Sequence, residues 1–273
     1  SFMDADGLIV SPAQATWMDA DPEGLDRPVT PRNGKTVEIN ALWYSNLRFL
    51  AELERGAKAV AQARELDALA DKVKTSFNDR FWFTDDENRK HWGGDGGALR
   101  DVVDGDPHSA AIRPNMLFAV SHGGDLLSSE RQKSVVEAAT KELLTPYGLR
   151  TLSPRDSHYR DRYDTDRPAL EKDQAYHQGT VWPWLIGPYV DALVKARRAA
   201  GVGEPEIAAE VRRLLTPLVQ FMLSRPEASL PEVFDGGRPG SEGPRPGGTR
   251  SQAWSVAEVL RVLRQYGGAA PQP

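Results

Sequence analysis

The sequence predicts an all-α fold of paired helices. Apolar residues recur at helical spacing along most of the chain, successive helical stretches follow one another in pairs, and strand signal is scarce. From Val37 to Glu54 the apolar positions are Ile39, Leu42, Trp43, Leu47, Leu50 and Leu53. Gly56 interrupts, and a second helix runs from Lys58 to Phe77 with Val60, Leu66, Leu69, Val73 and Phe77 on its apolar stripe, an antiparallel pair with a short link. In 79–93 two aromatic runs flank Asp85-Asp86-Glu87-Asn88, which predicts a small β-hairpin. Further helices are predicted at 112–121, 129–142, 181–199, 204–223 and 251–265, the last opened by Ser251 as N-cap. Residues 145–180 and 224–250 read as long loops rich in Pro, Gly, Arg and aromatics, of the kind that carries function. For 236–249 a substrate-closing loop and a disordered flap both fit, and 267–273 read as a flexible tail. Seven or so helices in successive pairs, without a clean internal repeat, suggest an α/α arrangement such as a toroid or solenoid.

Composition narrows the function. A chain of 273 residues can bury a substantial core. Its net charge of −5 and pI near 5.6 argue against a nucleic-acid partner, whose phosphates demand a basic face. The absence of cysteine excludes disulfides and thiolate metal sites. No stretch approaches the ~20 apolar residues of a membrane span, and the N-terminus has no basic region followed by an apolar run. A soluble cytoplasmic protein is the expectation.

Three features bear on chemistry. Trp17, Tyr147, Tyr159, Tyr163, Tyr176, Trp182, Trp184 and Trp254 fall in or beside loops and helix starts. Each alone suits a core; together, beside Arg, Gln, Asn and carboxylates, they suit a carbohydrate site, where sugar faces stack on rings. Asp19 follows Trp17-Met18, and Glu232 lies within Leu230-Pro231-Glu232-Val233-Phe234. An acid in an apolar pocket stays protonated near neutral pH while a better solvated partner activates water, the division of labour of glycoside hydrolysis. A cap or an ion pair is the commoner role for an isolated carboxylate. In 175–189 (AYHQGTVWPWLIGPY), His177 has no second ligand at metal-binding spacing, which favours a structural or substrate-contacting histidine. Thr180 and Pro183 mark a helix start. The Asp4-Ala5-Asp6-Gly7 stretch lacks the rest of a calcium loop, Gly93–Gly97 lacks the Lys-Ser/Thr of a phosphate loop, and no Gly-x-Ser-x-Gly elbow occurs.

Seven stretches in order complete the picture: ATWMDA (15–20), VTPRNGKTVEINALWYSNL (29–47), IRPNMLFAVS (112–121), LLTPYGLRTLSP (143–154), AYHQGTVWPWLIGPY (175–189), LPEVFDG (230–236) and QAWSVAEVLR (252–261). Together they resemble the catalytic domain of glycogen debranching enzymes of the amylo-α-1,6-glucosidase type, glycoside hydrolase family 133, over about residues 6–266. The resemblance implies an (α/α)6 toroid and inverting hydrolysis of α-1,6-linked glucose branches without metal or organic cofactor. It assigns Asp19 as general acid and Glu232 as general base, with carboxyl groups roughly 6.5–9.5 Å apart. By the same matching, Trp17, Arg32, Glu38, Asn40, Trp43, Tyr44, Arg113, Asn115, Tyr147, His177, Gln178, Trp182, Gln252 and Trp254 are candidates for lining the pocket. Glu38 is the rival for a catalytic role, its alternative being an ion pair with Arg32 or Lys35; Trp43 and Tyr44 also suit the core. Seven or eight of the toroid's twelve helices are countable, so 1–273 reads as the C-terminal portion of such a domain. That leads us to expect a homo-oligomer, a separately encoded N-terminal piece, or a shortened, weakly active chain. A glucan-binding remnant and a toroidal glycosidase acting on another α-linked sugar are the alternatives.

Overall fold

The computed structural model describes residues 1–20, 28–94, 96–164, 166, 168–237 and 244–267. Two short antiparallel pairs open it: β1 (Phe2–Met3) with β2 (Ile9–Val10), and β3 (Lys35–Thr36) with β4 (Val102–Val103). Between β3 and β4 run α1 (Val37–Gly56) and α2 (Val60–Phe81), packed against each other as the periodicity predicts. The buried stripe of α1 is Val37, Asn40, Ala41, Tyr44, Leu47 and Ala51, at i, i+3, i+4 and i+7. Leu50 and Leu53, expected on that stripe, fall outside it and are exposed, as is Phe49.

The hairpin predicted for 79–93 does not form. Phe81 is fully buried and stacks on Phe77 one turn earlier, which carries α2 to the first residue of the first aromatic run. The acidic triplet starts a helix: α3 (Asp85–Glu87) is capped by Thr84, whose hydroxyl accepts the Glu87 N–H while the Glu87 carboxylate accepts the Thr84 N–H. This capping box, with three carboxylates in the first turn, opposes the helix dipole favourably. A π-helical turn, Asn88–Trp92, follows.

A 3-10 turn at Pro114–Leu117 leads into α4 (Phe118–Ser121), and α5 (Ser129–Glu142) begins at the Ser128 N-cap. The two stretches expected to be loop, 145–180 and 224–250, join the start of the helix predicted for 181–199 in a five-stranded antiparallel sheet of very short strands: β5 (Leu144–Thr145), β6 (Gly148–Arg150), β7 (Val181–Trp182), β8 (Val233–Phe234) and β9 (Pro246–Gly247), in that order. Strands of two or three residues are too short for alternation to register. Helix α6 (Ala169–Tyr176) interrupts 145–180, and the helix predicted for 181–199 begins as β7, passes through a 3-10 turn at Pro183–Leu185 and becomes α7 (Ile186–Ala199). Helices α8 (Glu204–Leu223) and α9 (Ala253–Tyr266) complete the chain. The N-cap of α9 is Gln252, not Ser251, and its side chain makes no cap bond. Helix α7 packs against α5, α8 and α9. At Gly187 on α7 a Cβ would displace the Glu258 carboxylate of α9, which lies against the glycine. Residues 238–243 of the predicted loop 236–249 and all of the tail after Gly267 lie outside the described residues.

Candidate active site

The sheet and the ends of α6 and α9 bring most of the predicted residues together around Trp17. Its indole N–H donates to Asn115 Oδ1 at 2.8 Å, and its ring meets His177, Trp182 and Trp184 edge-on, with centroids 5.3, 5.4 and 5.0 Å away. His177 stacks on Trp182 at 5.5 Å, and Trp184 stacks on Trp254 at 4.8 Å. Trp254 remains 37% exposed, so the stack opens to solvent on one face.

Beneath this aromatic wall lies a buried ionic network. Arg32 forks onto Glu38 with two 2.6 Å hydrogen bonds, reaches Asp101 Oδ2 through Nε at 2.7 Å, and donates to Thr16 Oγ1 at 2.9 Å. Asp101 also accepts from Asn115 at 2.8 Å and lies 3.5 Å from the Arg113 guanidinium. Arg113 donates to the carbonyls of Thr151 and His177 and to Gln178 Oε1. Burial works against the Arg32 charge, but Asp101 and Glu38 outweigh it and its pKa rises; burial lowers that of Arg113 against the pull of Asp101. The bidentate geometry is one that lysine cannot supply.

Glu232 is gripped separately, just before β8. Its Oε1 accepts from the Tyr176 hydroxyl at 2.6 Å and from Gln252 Nε2 at 3.1 Å, and its Oε2 accepts the Thr249 N–H at 3.0 Å. Burial, then the hydrogen bond to Glu232, raises the Tyr176 pKa, so the phenol stays a donor. Burial, with Asp173 and Glu232 adding to it, pushes Tyr163 up to about 12, and burial raises Asp173. Gly248, with φ of +67°, closes over this carboxylate: a Cβ there would come 2.3 Å from Glu232 Oε2.

A family model described as amylo-alpha-1,6-glucosidase matches residues 2–261. The chain belongs to that family. It is 31% identical over 217 residues to the glycogen debranching enzyme of Saccharomyces cerevisiae, a match spanning 68% of this chain and 14% of the yeast enzyme. Two solved structures share its fold: a sialidase (TM-score 0.58, 16% identity, 89% of this chain and 21% of that one) and a bacterial glucoamylase complexed with acarbose (TM-score 0.56, 14% identity, 86% and 34%).

Against this family membership the predicted residues divide. Trp17, Arg32, Glu38, Arg113, Asn115, His177, Gln178, Trp182 and Trp254 form one connected cluster, and Gln252 and Glu232 join it through Tyr176, whose ring lies 4.7 Å from His177. Glu38 realises its ion-pair alternative with Arg32. Asn40 is fully buried away from these contacts, its amide spent on the backbone of Ile9 and Thr36. Trp43 donates to the Gly7 carbonyl and Tyr44 to Asp125, both as parts of the α1 packing. Tyr147 stacks on Phe234 at 4.7 Å, in a group with Phe221. Asp19 departs from its expected apolar setting: Met18 is fully buried and Trp17 half-buried, but Asp19 is exposed. Tyr176 and Trp184 enter from the aromatic group read as a carbohydrate site, and Asp101 is the addition to the predicted residues. Tyr176 and Trp184 stand in the same stretch as His177 and Trp182, whereas Asp101 carries no local signal. A cavity of about 670 Å³ lies elsewhere, between the π-helical turn, α5 and α7.

His177 is 1% exposed, and neither ring nitrogen has a hydrogen-bond partner among the described residues. Burial, with Arg113 and Arg32 adding to it, lowers its pKa to about 3. A depressed folded pKa makes this contribution complete above the unfolded value near 6.5 and lost as pH falls towards 3. Stability is expected to drop by about 3 kcal/mol between pH 7 and pH 4 through this residue. Urea unfolding of the wild type and His177→Gln at both pH values checks it; equal losses in the two proteins would refute the assignment.

Proposed function

We propose that the chain carries the acid–base centre of a glycosidase that hydrolyses α-1,6-glucosidic branch points of glycogen-like glucans with inversion. Glu232 is the general base and Asp19 the general acid. The observation that carries this reading is the grip on Glu232 by Tyr176, Gln252 and the Thr249 N–H, linked through Tyr176 and His177 to a tryptophan stack with one open face. Three donors orient this carboxylate, as activation of water requires. A glucosyl ring on Trp254 would leave the ionic network to hold the wall in place. Asp19 is exposed, where a bound glucan would cover its carboxyl.

The chain spans 14% of the yeast enzyme, and we read it as the C-terminal portion of an (α/α)6 toroid. Exposed Phe49, Leu50, Leu53 and Val60 on α1 and α2, with Leu223 and Leu260 on α8 and α9, suit association with a second copy or a separately encoded N-terminal piece. A monodisperse, partner-free monomer by light scattering would count against both. The exposure of Asp19 favours a second reading, a glucan-binding remnant without turnover. Incubation with a branched limit dextrin separates the two. Release of glucose, appearing first as the β-anomer by NMR, is expected of the inverting hydrolase; dextrin binding without release would establish the remnant.

A further inference from the structure

Two of the five histidines meet at the edge of the cluster, on loops the proposed reaction does not use. His108 and His158 meet with their Nε2 atoms 3.0 Å apart and ring centroids 3.9 Å apart, both rings exposed. The two are presented by the same local device. In Asp106-Pro107-His108 and in Asp156-Ser157-His158, the aspartate Oδ1 accepts the N–H of the histidine two residues on, at 2.9 and 2.8 Å. Each turn is anchored to the site: Asp106 Oδ2 accepts the Arg32 N–H, and the Arg160 N–H donates to the Gln178 carbonyl.

The ring nitrogens are set up for a ligand role. His158 Nδ1 lies 3.2 Å from Asp156 Oδ1 and 3.3 Å from Ser157 Oγ. A carboxylate at Nδ1 favours the tautomer with its proton there, which makes Nε2 the lone-pair nitrogen at the 3.0 Å contact with His108, as in carboxylate–histidine–metal arrangements. Two imidazole Nε2 atoms converging at this spacing can share one proton or one metal ion. His91 is near enough that the charges on Asp156 and His108 act on it.

We propose that His108 and His158 form a binding site for a borderline divalent transition-metal ion of the zinc or nickel class, with Asp156 as the positioning residue, stapling the 104–110 loop to the 153–160 loop. Imidazole nitrogens select this class over the hard cations magnesium and calcium. Because the ion binds only where both turns are formed, it stabilises the folded chain in proportion to its free concentration.

Isothermal titration of the chelator-treated protein with Zn²⁺ and with Ni²⁺ tests the proposal, with circular dichroism confirming the fold of each variant. One equivalent is expected to bind and to raise the melting temperature, with no response to Mg²⁺. His108→Gln and His158→Gln should each weaken binding at least tenfold, and Asp156→Asn roughly tenfold. His122→Gln, on the far end of α4, should bind as the wild type does. Absence of saturable binding, or binding unchanged in both His108→Gln and His158→Gln, overturns the site and leaves the pair as a proton-sharing contact. Neither result depends on glucose release, so failure here is distinguishable from failure of the proposed hydrolysis.

Discussion

Arg32→Met is expected to lower the unfolding free energy by about 3–5 kcal/mol, the usual cost of leaving buried carboxylates uncompensated. Arg32, Glu38 and Asp101 are 2%, 3% and 3% exposed, so water cannot replace the lost guanidinium. Methionine fills much of the volume but supplies none of the hydrogen bonds that Arg32 sends to Glu38, Asp101 and Thr16. For a chain of this size that loss corresponds to a melting shift of roughly 10 °C. Arg32→Lys should recover only part of it, because an ammonium cannot fork onto both Glu38 oxygens. Adding Glu38→Gln to Arg32→Met should restore stability by relieving one orphaned charge, a coupling a double-mutant cycle reads directly. A loss below about 1 kcal/mol for Arg32→Met would mean that solvent reaches the network and would sink this account.

The same network marks the limit of what the sequence makes legible. Arg32 and Glu38 stand six residues apart at the start of α1, and their pairing is readable from that spacing. Asp101 and Asp106 approach Arg32 across 69 and 74 residues, and only the β3–β4 pairing puts them there. Helices of fourteen residues or more were legible because each repeats its apolar stripe several times. The sheet that places Trp182 and Glu232 was not, because two-residue strands carry no period. At 79–93 the aromatic–acidic–aromatic pattern suits a hairpin equally well, and the deciding signal was Thr84 three residues before Glu87. Asp19 shows the remaining gap. Sequence neighbours Trp17 and Met18 point inward, and the next side chain on an irregular segment can turn outward, so apolar neighbours in sequence do not make an apolar pocket in space.

Glu232→Gln and Asp19→Asn are each expected to cut glucose release from a branched dextrin by roughly 10²–10⁴-fold while dextrin binding persists, the range that loss of a positioned acid or base produces. Each substitution keeps size and removes the proton-transfer chemistry. At position 232 the amide oxygen can still accept from Tyr176 and Gln252, but its NH₂ then faces the Thr249 N–H, so some reorientation contributes to the loss. Loss of turnover alone cannot separate the two roles; the substrate's leaving group can. A glucosyl donor with an acidic phenol as leaving group needs no proton, so Asp19→Asn should cleave it at close to the wild-type rate, whereas Glu232→Gln should stay slow because water still lacks a base. Gly248→Ala offers an independent check, since its Cβ would crowd Glu232 Oε2 without removing a charge. It should depress turnover on both substrates and leave the Asp19 discrimination intact. If Asp19→Asn is equally impaired on both leaving groups, Asp19 is not the proton donor, whatever Glu232 does.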